Sequence, residues 1–223
     1  MTLLGLVFFT AHAGAQEVTT LKTPKEKLSY SIGVQTAKTF KKDDVDIDLD
    51  IYLKGLKDGL AGEKLLLPDG DMRQLMRSLT SDMRRKMVLN QRAESLQNKT
   101  KGEAFLTANK AKPGVTALPN GLQYRIMKVG AGAIPTDADL VEYNFRGTLI
   151  DGSEFDSTEP GKNVTSKVSS LLPGWRAALK LMPVGSKWQI FMPPQLAYGE
   201  RGAGSDIGPN ATLIFEIELV GIK

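Results

Sequence analysis

The residues whose types and spacing could support chemistry are aromatic and branched side chains between residues 141 and 223. They recur in Phe155-Asp156, Pro173-Gly174-Trp175, Leu196-Ala197-Tyr198-Gly199, Ile207-Gly208-Pro209 and Ala211-Thr212-Leu213-Ile214-Phe215. No strong nucleophile, metal-ligand cluster or phosphate-binding loop accompanies them. An aromatic pocket with one or two hydrogen-bond donors suits chemistry that breaks no covalent bond. Rotation about a prolyl amide is the leading case.

The composition excludes several classes of catalysis. The chain has 223 residues, a net charge of +4, no cysteine and one histidine, His12. His12 lies in a segment that we expect to be removed, so the mature protein would have neither residue type. Ser-His-Asp and Cys-His catalysis are then unavailable, as are thiolate and histidine metal sites. We expect no cofactor and no bound metal.

Residues 2–15 are typical of a secretory signal. A short apolar run from Leu3 to Phe9 is followed by the small-x-small patterns Ala11-His12-Ala13 and Ala13-Gly14-Ala15. Such a run is too short for a spanning helix and is usually cleaved. We predict cleavage after Ala15, no integral membrane segment in the mature chain, and a location in the periplasm or on the outer bacterial surface.

Two short helices are predicted next. Thr23 is a helix cap, Pro24 fits the first helical position, and Glu26 completes a capping box for a helix that ends near Lys42. The Asp-rich run 43–50 fits a calcium loop in neither register, because the required Gly and Glu positions are occupied by other residues. Asp48 or Asp50 is instead predicted to cap a second helix that stops at Gly62.

A helical pattern without internal proline runs from about Pro68 to Lys110, which predicts a rod of about 60 Å. Its first half carries an apolar stripe, which is either buried core or a subunit interface. The stripe consists of Met72, Met76, Leu79, Met83 and Met87. The second half, from about Asn90, is polar on most faces and could bridge domains through solvent. Phe105 is its lone aromatic residue, so we expect no nucleic-acid binding.

Beyond Pro113-Gly114 the apolar period changes to two. Alternation at 122–126, 141–145, 188–192 and 213–219 predicts strands, and one short helix fits between Pro173 and Leu181. Strands wrapped around a single helix indicate an α+β domain with a half-open antiparallel sheet.

These motifs resemble the FKBP-type peptidyl-prolyl isomerases across about 110 residues. The resemblance rests on Gly147–Gly152, Glu154–Ser157, Leu172–Trp175, Pro194–Gly199 and Ile207–Phe215. The N-terminal half is similar to one branch, the Mip-like macrophage infectivity potentiators, through Lys27–Gly33, Lys54–Gly59 and Ala104–Lys110.

The resemblance implies a homodimer clamped by N-terminal helices, with the isomerase domains at the ends of long rods. It implies a signal peptide at 1–15, a helical dimerisation domain at 16–67, a connecting helix at 68–112 and an FKBP-like isomerase domain at 113–223. The implied substrates are proline-containing unfolded or exported polypeptides, and macrolides are possible ligands.

The resemblance also implies site roles. Trp175 would form the pocket floor, Ile207 the rim, and Phe155, Leu171, Leu172 and Phe215 the walls. Tyr198 and the Leu172 backbone N–H would donate to substrate carbonyls, and Asp156 would polarise the site.

Two positions depart from the family pattern. Phe145 stands where relatives usually have a Tyr whose hydroxyl reaches the Asp, so Asp156 would lose a partner in an apolar site. Ser166 stands where relatives often have Phe, which thins one wall. Turnover lower than in relatives is therefore expected. A dimeric chaperone with weak or no isomerase activity is the alternative function, and a surface adhesin rests on the branch resemblance alone.

Overall fold

A computed structural model of the protein describes residues 19–62 and 64–223. The chain divides into two compact units, one ending at Met83 and the other comprising Arg84–Lys223. The predicted signal at 1–15, its cleavage site and His12 lie outside the described residues. Among the helices that are described, none combines the length and apolar character needed to cross a membrane.

The first unit contains helix α1 at Pro24–Asp43, helix α2 at Leu49–Ala61 and the start of helix α3, which spans Asp69–Lys110. The capping box of α1 is confirmed: Thr23 Oγ1 accepts from the Glu26 N–H, and Glu26 Oε2 accepts from the Thr23 N–H at 3.0 Å. Asp48 caps α2 by accepting from two backbone N–H groups, and Gly62 ends the helix at φ 68°.

Most apolar side chains of this unit are exposed in the single chain. No α1 residue is buried, and Asp58 is the one buried residue of α2. None of the five residues of the Met72–Met87 stripe is buried either. The interpretation of that stripe as core within one chain is therefore not supported.

The second unit is a seven-stranded antiparallel sheet with a short helix, so the predicted α+β class is confirmed. The strands are β1 at Val115–Ala117, β2 at Gln123–Lys128, β3 at Leu140–Leu149, β4 at Glu154–Ser157, β5 at Val164–Lys167, β6 at Lys187–Met192 and β7 at Leu213–Ile222. Their order is β1-β2-β6-β7-β3-β4, and β5 pairs with β3. All four strands expected from alternation are present, and the short strands β1, β4 and β5 are additional.

Helix α4, Pro173–Leu179, packs on one face of this sheet and closes the core. Trp175, Ala178 and Leu179 are its buried apolar side chains. Gly174 brings the helix close to β6, because a Cβ there would lie 2.7 Å from the Met192 side chain. Along β7 the residues alternate between buried and half-buried, which gives the sheet one apolar face.

The expectation that the second half of α3 bridges domains through solvent is wrong. Its residues at 95, 98, 102, 105 and 109 are half-buried or buried, at the three- and four-residue spacing of one helix face. Asn109 Nδ2 donates to Gln123 Oε1 at 3.0 Å, and Gln123 Nε2 donates to the Leu106 carbonyl at 2.8 Å. This half of the helix is therefore packed within the second unit, mostly by small and amide side chains and by the Phe105 ring, which contacts Phe191 on β6 with centroids 5.9 Å apart.

Candidate functional site

A cluster of five aromatic rings lies between the sheet and α4. Its members are Tyr143 and Phe145 on β3, Phe155 on β4, Trp175 on α4 and Phe215 on β7. Alternate residues of a strand point to the same face, so Tyr143 and Phe145 both reach it. The sequence therefore brings together residues from four separated segments.

Trp175 occupies the centre of this cluster and is 4% exposed. Its ring centroid lies 5.1 Å from Tyr143, 5.4 Å from Phe145 and 5.2 Å from Phe215, with every pair in edge-to-face geometry. Aromatic rings prefer this arrangement because the positive edge of one meets the negative face of another. The position of the indole is thus fixed from three sides.

Gly147 on β3 makes room for two rings. A Cβ at this position would lie 2.6 Å from the Phe155 ring and 2.9 Å from the Phe215 ring. Because Gly147 has no Cβ, the Phe155 and Phe215 rings pack edge to face over β3, with their centroids 5.5 Å apart. A side chain at position 147 would push apart two expected pocket walls.

Two expected donors have no partner within the described ranges. The Tyr198 side chain is 39% exposed, and its hydroxyl makes no hydrogen bond to residues 19–62 or 64–223. The Leu172 N–H, just before α4, likewise has no acceptor there, although the Leu172 carbonyl accepts from Arg176. Both groups remain able to donate to a ligand carbonyl.

Asp156 is exposed, and its carboxylate makes no hydrogen bond or ion pair with the described residues. It lies opposite Gly147 in the β3–β4 register. Its neighbour Glu154 accepts from Arg146 Nε at 2.6 Å, and this bond, with another from Ser157, lowers the pKa of Glu154. Water can solvate Asp156, so the expected cost of an unpaired carboxylate in an apolar site does not arise.

Ser166, one of the two departures from the family pattern, is bonded to Tyr143 rather than to Phe145. Tyr143 is 4% exposed and packs deeper than Phe145, which is half-buried. Its hydroxyl lies 3.1 Å from the Ser166 Oγ, so the two groups satisfy each other at the edge of the ring cluster. Sequence reasoning missed this pair; the signal was the short side chain at 166 together with a Tyr two residues before Phe145.

The remaining expected site residues border the same core. Leu171 and Leu172 are half-buried against it, and Ile207 is 8% exposed in the loop between Tyr198 and β7. Within the described ranges, no group of three or more His, Cys, Asp or Glu side chains could hold a metal ion.

Known protein families and individual relatives match nearly the whole chain. Residues 25–126 match the family described as the domain amino terminal to FKBP-type peptidyl-prolyl isomerase, and residues 132–220 match the FKBP-type peptidyl-prolyl cis-trans isomerase family. The chain is 48% identical to the outer membrane protein MIP of Legionella longbeachae, over 99% of this chain and 95% of that protein. It is 44% identical to the peptidyl-prolyl cis-trans isomerase Mip of Coxiella burnetii, over 96% of this chain and 92% of that protein.

A solved structure also matches over most of the chain. The crystal structure of FkpA from Escherichia coli superposes with a TM-score of 0.71 at 29% identity, and the match covers 92% of this chain and 99% of FkpA.

Proposed function

Because the chain belongs to the FKBP-type peptidyl-prolyl cis-trans isomerases, we propose that it accelerates rotation about X-Pro bonds in exported proteins by holding the proline in a water-poor aromatic pocket. The observation that carries this proposal is the ring cluster centred on Trp175, together with two donors that have no partner in the described ranges: the Leu172 N–H directly before α4, and the hydroxyl of Tyr198, which follows Ala197 on the border of the same core. No covalent bond needs to break, which fits a chain with no cysteine and a single histidine.

The energetics of amide rotation fit such a pocket. Rotation costs about 18–20 kcal/mol because the twisted amide loses its resonance. Water stabilises the planar, more polar amide, and a pocket lined by Trp175 and Phe215 withholds that stabilisation. Lowering the barrier by about 5–8 kcal/mol would accelerate rotation by about 10⁴- to 10⁶-fold. No proton transfer is required.

Each residue has a proposed role. Trp175 supports the proline ring from below, and Phe155, Leu171, Leu172 and Phe215 form the walls, with Ile207 at the rim. Tyr198 and the Leu172 N–H donate to substrate carbonyls and fix the peptide, while Asp156 polarises the site beside the twisting carbonyl. Phe145 packs edge to face on Trp175 at 5.4 Å and keeps the indole in place. A macrolide that carries a proline-like ring would compete for the same pocket.

Export supports the choice of substrate. The apolar run and small-x-small pattern in residues 2–15 are those of a secretory signal, and a relative with 48% identity is named an outer membrane protein. The substrates would then be polypeptides in the periplasm or at the outer surface, where many chains fold after translocation.

Dimerisation through the N-terminal helices is the second part of the proposal. On α2, Leu49 is 62% exposed, Leu56 50% and Leu60 82% in the single chain, and their spacing of seven and four residues puts them on one helix face. Apolar patches of this kind on helices mark interaction surfaces. A second copy of the same face would cover them, in keeping with the match to the amino-terminal FKBP domain.

The test is exchange of a proline-containing tetrapeptide by the wild type beside Tyr198→Phe and Asp156→Leu. Each variant is expected to lower kcat/KM by about tenfold, because one hydrogen bond or one polarising charge is worth about 1 kcal/mol or more. Tyr124→Phe is the control, since Tyr124 stacks on Trp188 at 4.4 Å, outside the ring cluster. Unchanged kcat/KM in both site variants would overturn the assignment of the site.

A chaperone with little isomerase activity is a second candidate, favoured by the exposed apolar faces of α1 and α2. Aggregation suppression, measured for the wild type and for Tyr198→Phe and Asp156→Leu, separates the two functions. If the wild type suppresses aggregation fully but does not accelerate exchange of the tetrapeptide, the chaperone function is favoured.

A further inference from the structure

The loop between Tyr198 and β7, residues 199–212, carries the expected pocket residue Ile207 but has few hydrogen bonds of its own. Ile207 lies within it, and Tyr198 immediately precedes it. Ala203 and Ile207 exchange two backbone hydrogen bonds, at 2.8 and 3.1 Å, and the Asn210 N–H donates to the Gly199 carbonyl at 2.8 Å. Three of its glycines, at 199, 202 and 204, have positive φ, so the backbone has wide conformational freedom when unrestrained.

Helix α3 contacts the end of this loop through two side-chain bonds. Asn98 Nδ2 donates to the Pro209 carbonyl at 2.9 Å, and Asn210 Nδ2 donates to Ser95 Oγ at 2.8 Å. Ser95 and Asn98 lie three residues apart on one face of α3 and belong to the same compact unit as the loop. Asn210 has φ 55°, a left-handed conformation that Asn tolerates better than most residues.

Two glycines set a close approach between helix and loop. A Cβ on Gly208 would overlap the side chains of Glu94 and Asn98, and a Cβ on Gly102 would overlap the Thr212 Oγ1. Gly102 brings the helix backbone against the Thr212 side chain, and Gly208 lies against the ends of the Glu94 and Asn98 side chains. Residues 208–212 therefore pack directly on this face of α3.

We propose that Ser95 and Asn98 are positioning residues of the isomerase site, which act through this loop without touching the substrate. By fixing Pro209 and Asn210 they hold Ile207, two residues earlier. Through the bond from Asn210 to the Gly199 carbonyl they also hold the segment beside Tyr198. The inference rests on the proposed function, because that is where Tyr198 and Ile207 are given substrate contacts.

The kinetic signature of such a role is a change in KM. Without either bond the loop samples more conformations, and the substrate must order it on binding. The loss of one hydrogen bond predicts a rise in KM of about two- to tenfold for the tetrapeptide. The value of kcat changes less, because the bound complex keeps the same pocket.

The test compares Asn98→Ala and Ser95→Ala with controls on exposed positions of the same helix. Asn90→Ala is the control for the amide. Thr100→Ala is the control for the hydroxyl, since Thr100 Oγ1 bonds only within the helix, to the Leu96 carbonyl at 3.0 Å. KM should rise in Asn98→Ala and Ser95→Ala but not in the controls, and Ser95→Thr, which keeps a hydroxyl, should restore it. Amide exchange of Ala203 and Ile207 should accelerate in the same two variants.

The outcomes separate this inference from the proposed function. If KM in Asn98→Ala and Ser95→Ala equals that of the controls, the inference is overturned even where Tyr198→Phe shows that the site is correct. A lower melting temperature with unchanged KM also overturns it, because α3 would then only stabilise the fold. Ile207→Ala or Tyr198→Phe must raise KM as well; if neither does while Asn98→Ala does, the effect does not pass through the loop and the inference fails.

Discussion

At the scale of single residues, the position of one hydroxyl group distinguishes this site. Phe145 packs on Trp175 at 5.4 Å and offers no hydroxyl, whereas Tyr143 directs its hydroxyl to Ser166 at 3.1 Å. The Asp156 carboxylate is left to solvent, without a bond from another described residue. It is therefore free to move, and the polarising role proposed for it would be weaker than that of a fixed charge.

Phe145→Tyr should raise kcat/KM for the tetrapeptide by about two- to tenfold, which is the rate factor that corresponds to the free energy of one hydrogen bond. The new hydroxyl would extend toward β4, where Asp156 lies opposite Gly147, and would fix the carboxylate. Phe155→Tyr is a useful control, because it adds a hydroxyl to another ring of the cluster. A rate for Phe145→Tyr at or below the wild-type rate would show that the orientation of Asp156 does not limit turnover.

Asp137 gives a pH-dependent prediction on stability. Its hydrogen bond from Lys180, with further bonds and charge from Arg176, holds the pKa of the Asp137 carboxyl below its ordinary value. A carboxyl whose pKa is lower when folded adds stability at pH values above its unfolded pKa, about 3.9, and loses it as the pH falls through the folded pKa.

Thermal unfolding of the wild type should therefore show a falling midpoint as the pH drops from about 5 to 3, and Asp137→Asn should make that fall shallower. Each side chain of this pairing is more than a third exposed, so the effect should be small. Glu103→Gln is the control, since Glu103 makes no ion pair within the described ranges. Identical slopes for Asp137→Asn and the wild type would contradict the prediction.

At the scale of secondary-structure elements, sequence patterns predicted what depends on neighbours along the chain. Thr23 and Glu26 lie three residues apart and bond to each other's backbone N–H groups, so the start of α1 could be predicted from the sequence. The packing of Ser95 and Asn98 could not be predicted, because their partners Pro209 and Asn210 lie more than 100 residues away. Amide and small side chains carry no apolar signal, so their docking depends on tertiary contacts.

The same reasoning explains which site residues could be anticipated. Trp175, Phe155 and Phe215 follow ordered motifs, and the structure places all three in one cluster. The Tyr143–Ser166 pair depends on β3 lying beside β5, a register that no local pattern specifies. The solvent exposure of Asp156 likewise depends on the position of β4 at the end of the strand order.

Gly102→Ala tests the contact between α3 and β7. In an exposed helix interior, Ala is more stable than Gly by about 1 kcal/mol. Here the new Cβ overlaps the Thr212 Oγ1, which is buried and has no hydrogen-bond partner in the described structure. We expect a net loss of about 1–3 kcal/mol in the unfolding free energy of the second unit.

The matched control is Gly70→Ala, near the start of the same helix, where a Cβ meets nothing within 4 Å. That variant should be neutral or slightly stabilising. Adding Thr212→Ala to Gly102→Ala should recover part of the loss, since it removes the overlapping oxygen. Chemical denaturation followed by tryptophan fluorescence reports on this unit, because Trp175 and Trp188 both lie in it. A stabilised Gly102→Ala would mean that the helix does not approach β7 so closely.

At the scale of the whole molecule, the two units differ in how well they bury apolar surface. The second unit has a continuous core of fully buried side chains, whereas α1 and α2 leave Leu28, Ile51 and Leu60 more than half exposed. A partner that covers these exposed side chains, as in the proposed dimer, would therefore stabilise the first unit. This difference predicts that the oligomeric state and the chemistry of a single site can be changed separately.

Leu60→Glu should convert the proposed dimer into monomers, as measured by sedimentation velocity at micromolar concentrations. Burial of one leucine is worth about 1.5–3 kcal/mol, and a two-fold interface contains each residue twice, so the dimer should weaken by about 10²- to 10⁴-fold. Lys57→Glu is the control, because it places a glutamate at an exposed polar position of α2 and makes the net charge two units more negative, a larger change than Leu60→Glu makes. A wild type that already sediments as a monomer would overturn the proposed dimer.

The activity of Leu60→Glu should then depend on the length of the substrate. A tetrapeptide reaches one site at a time, so its kcat/KM should stay within about twofold of the wild-type value. An unfolded protein with several prolines can engage both sites of a dimer, and the second contact benefits from a raised effective concentration. Refolding that is limited by proline isomerisation should therefore be accelerated less by Leu60→Glu than by Lys57→Glu. Equal acceleration of refolding by both variants would show that each isomerase site works alone on long chains, whatever the oligomeric state.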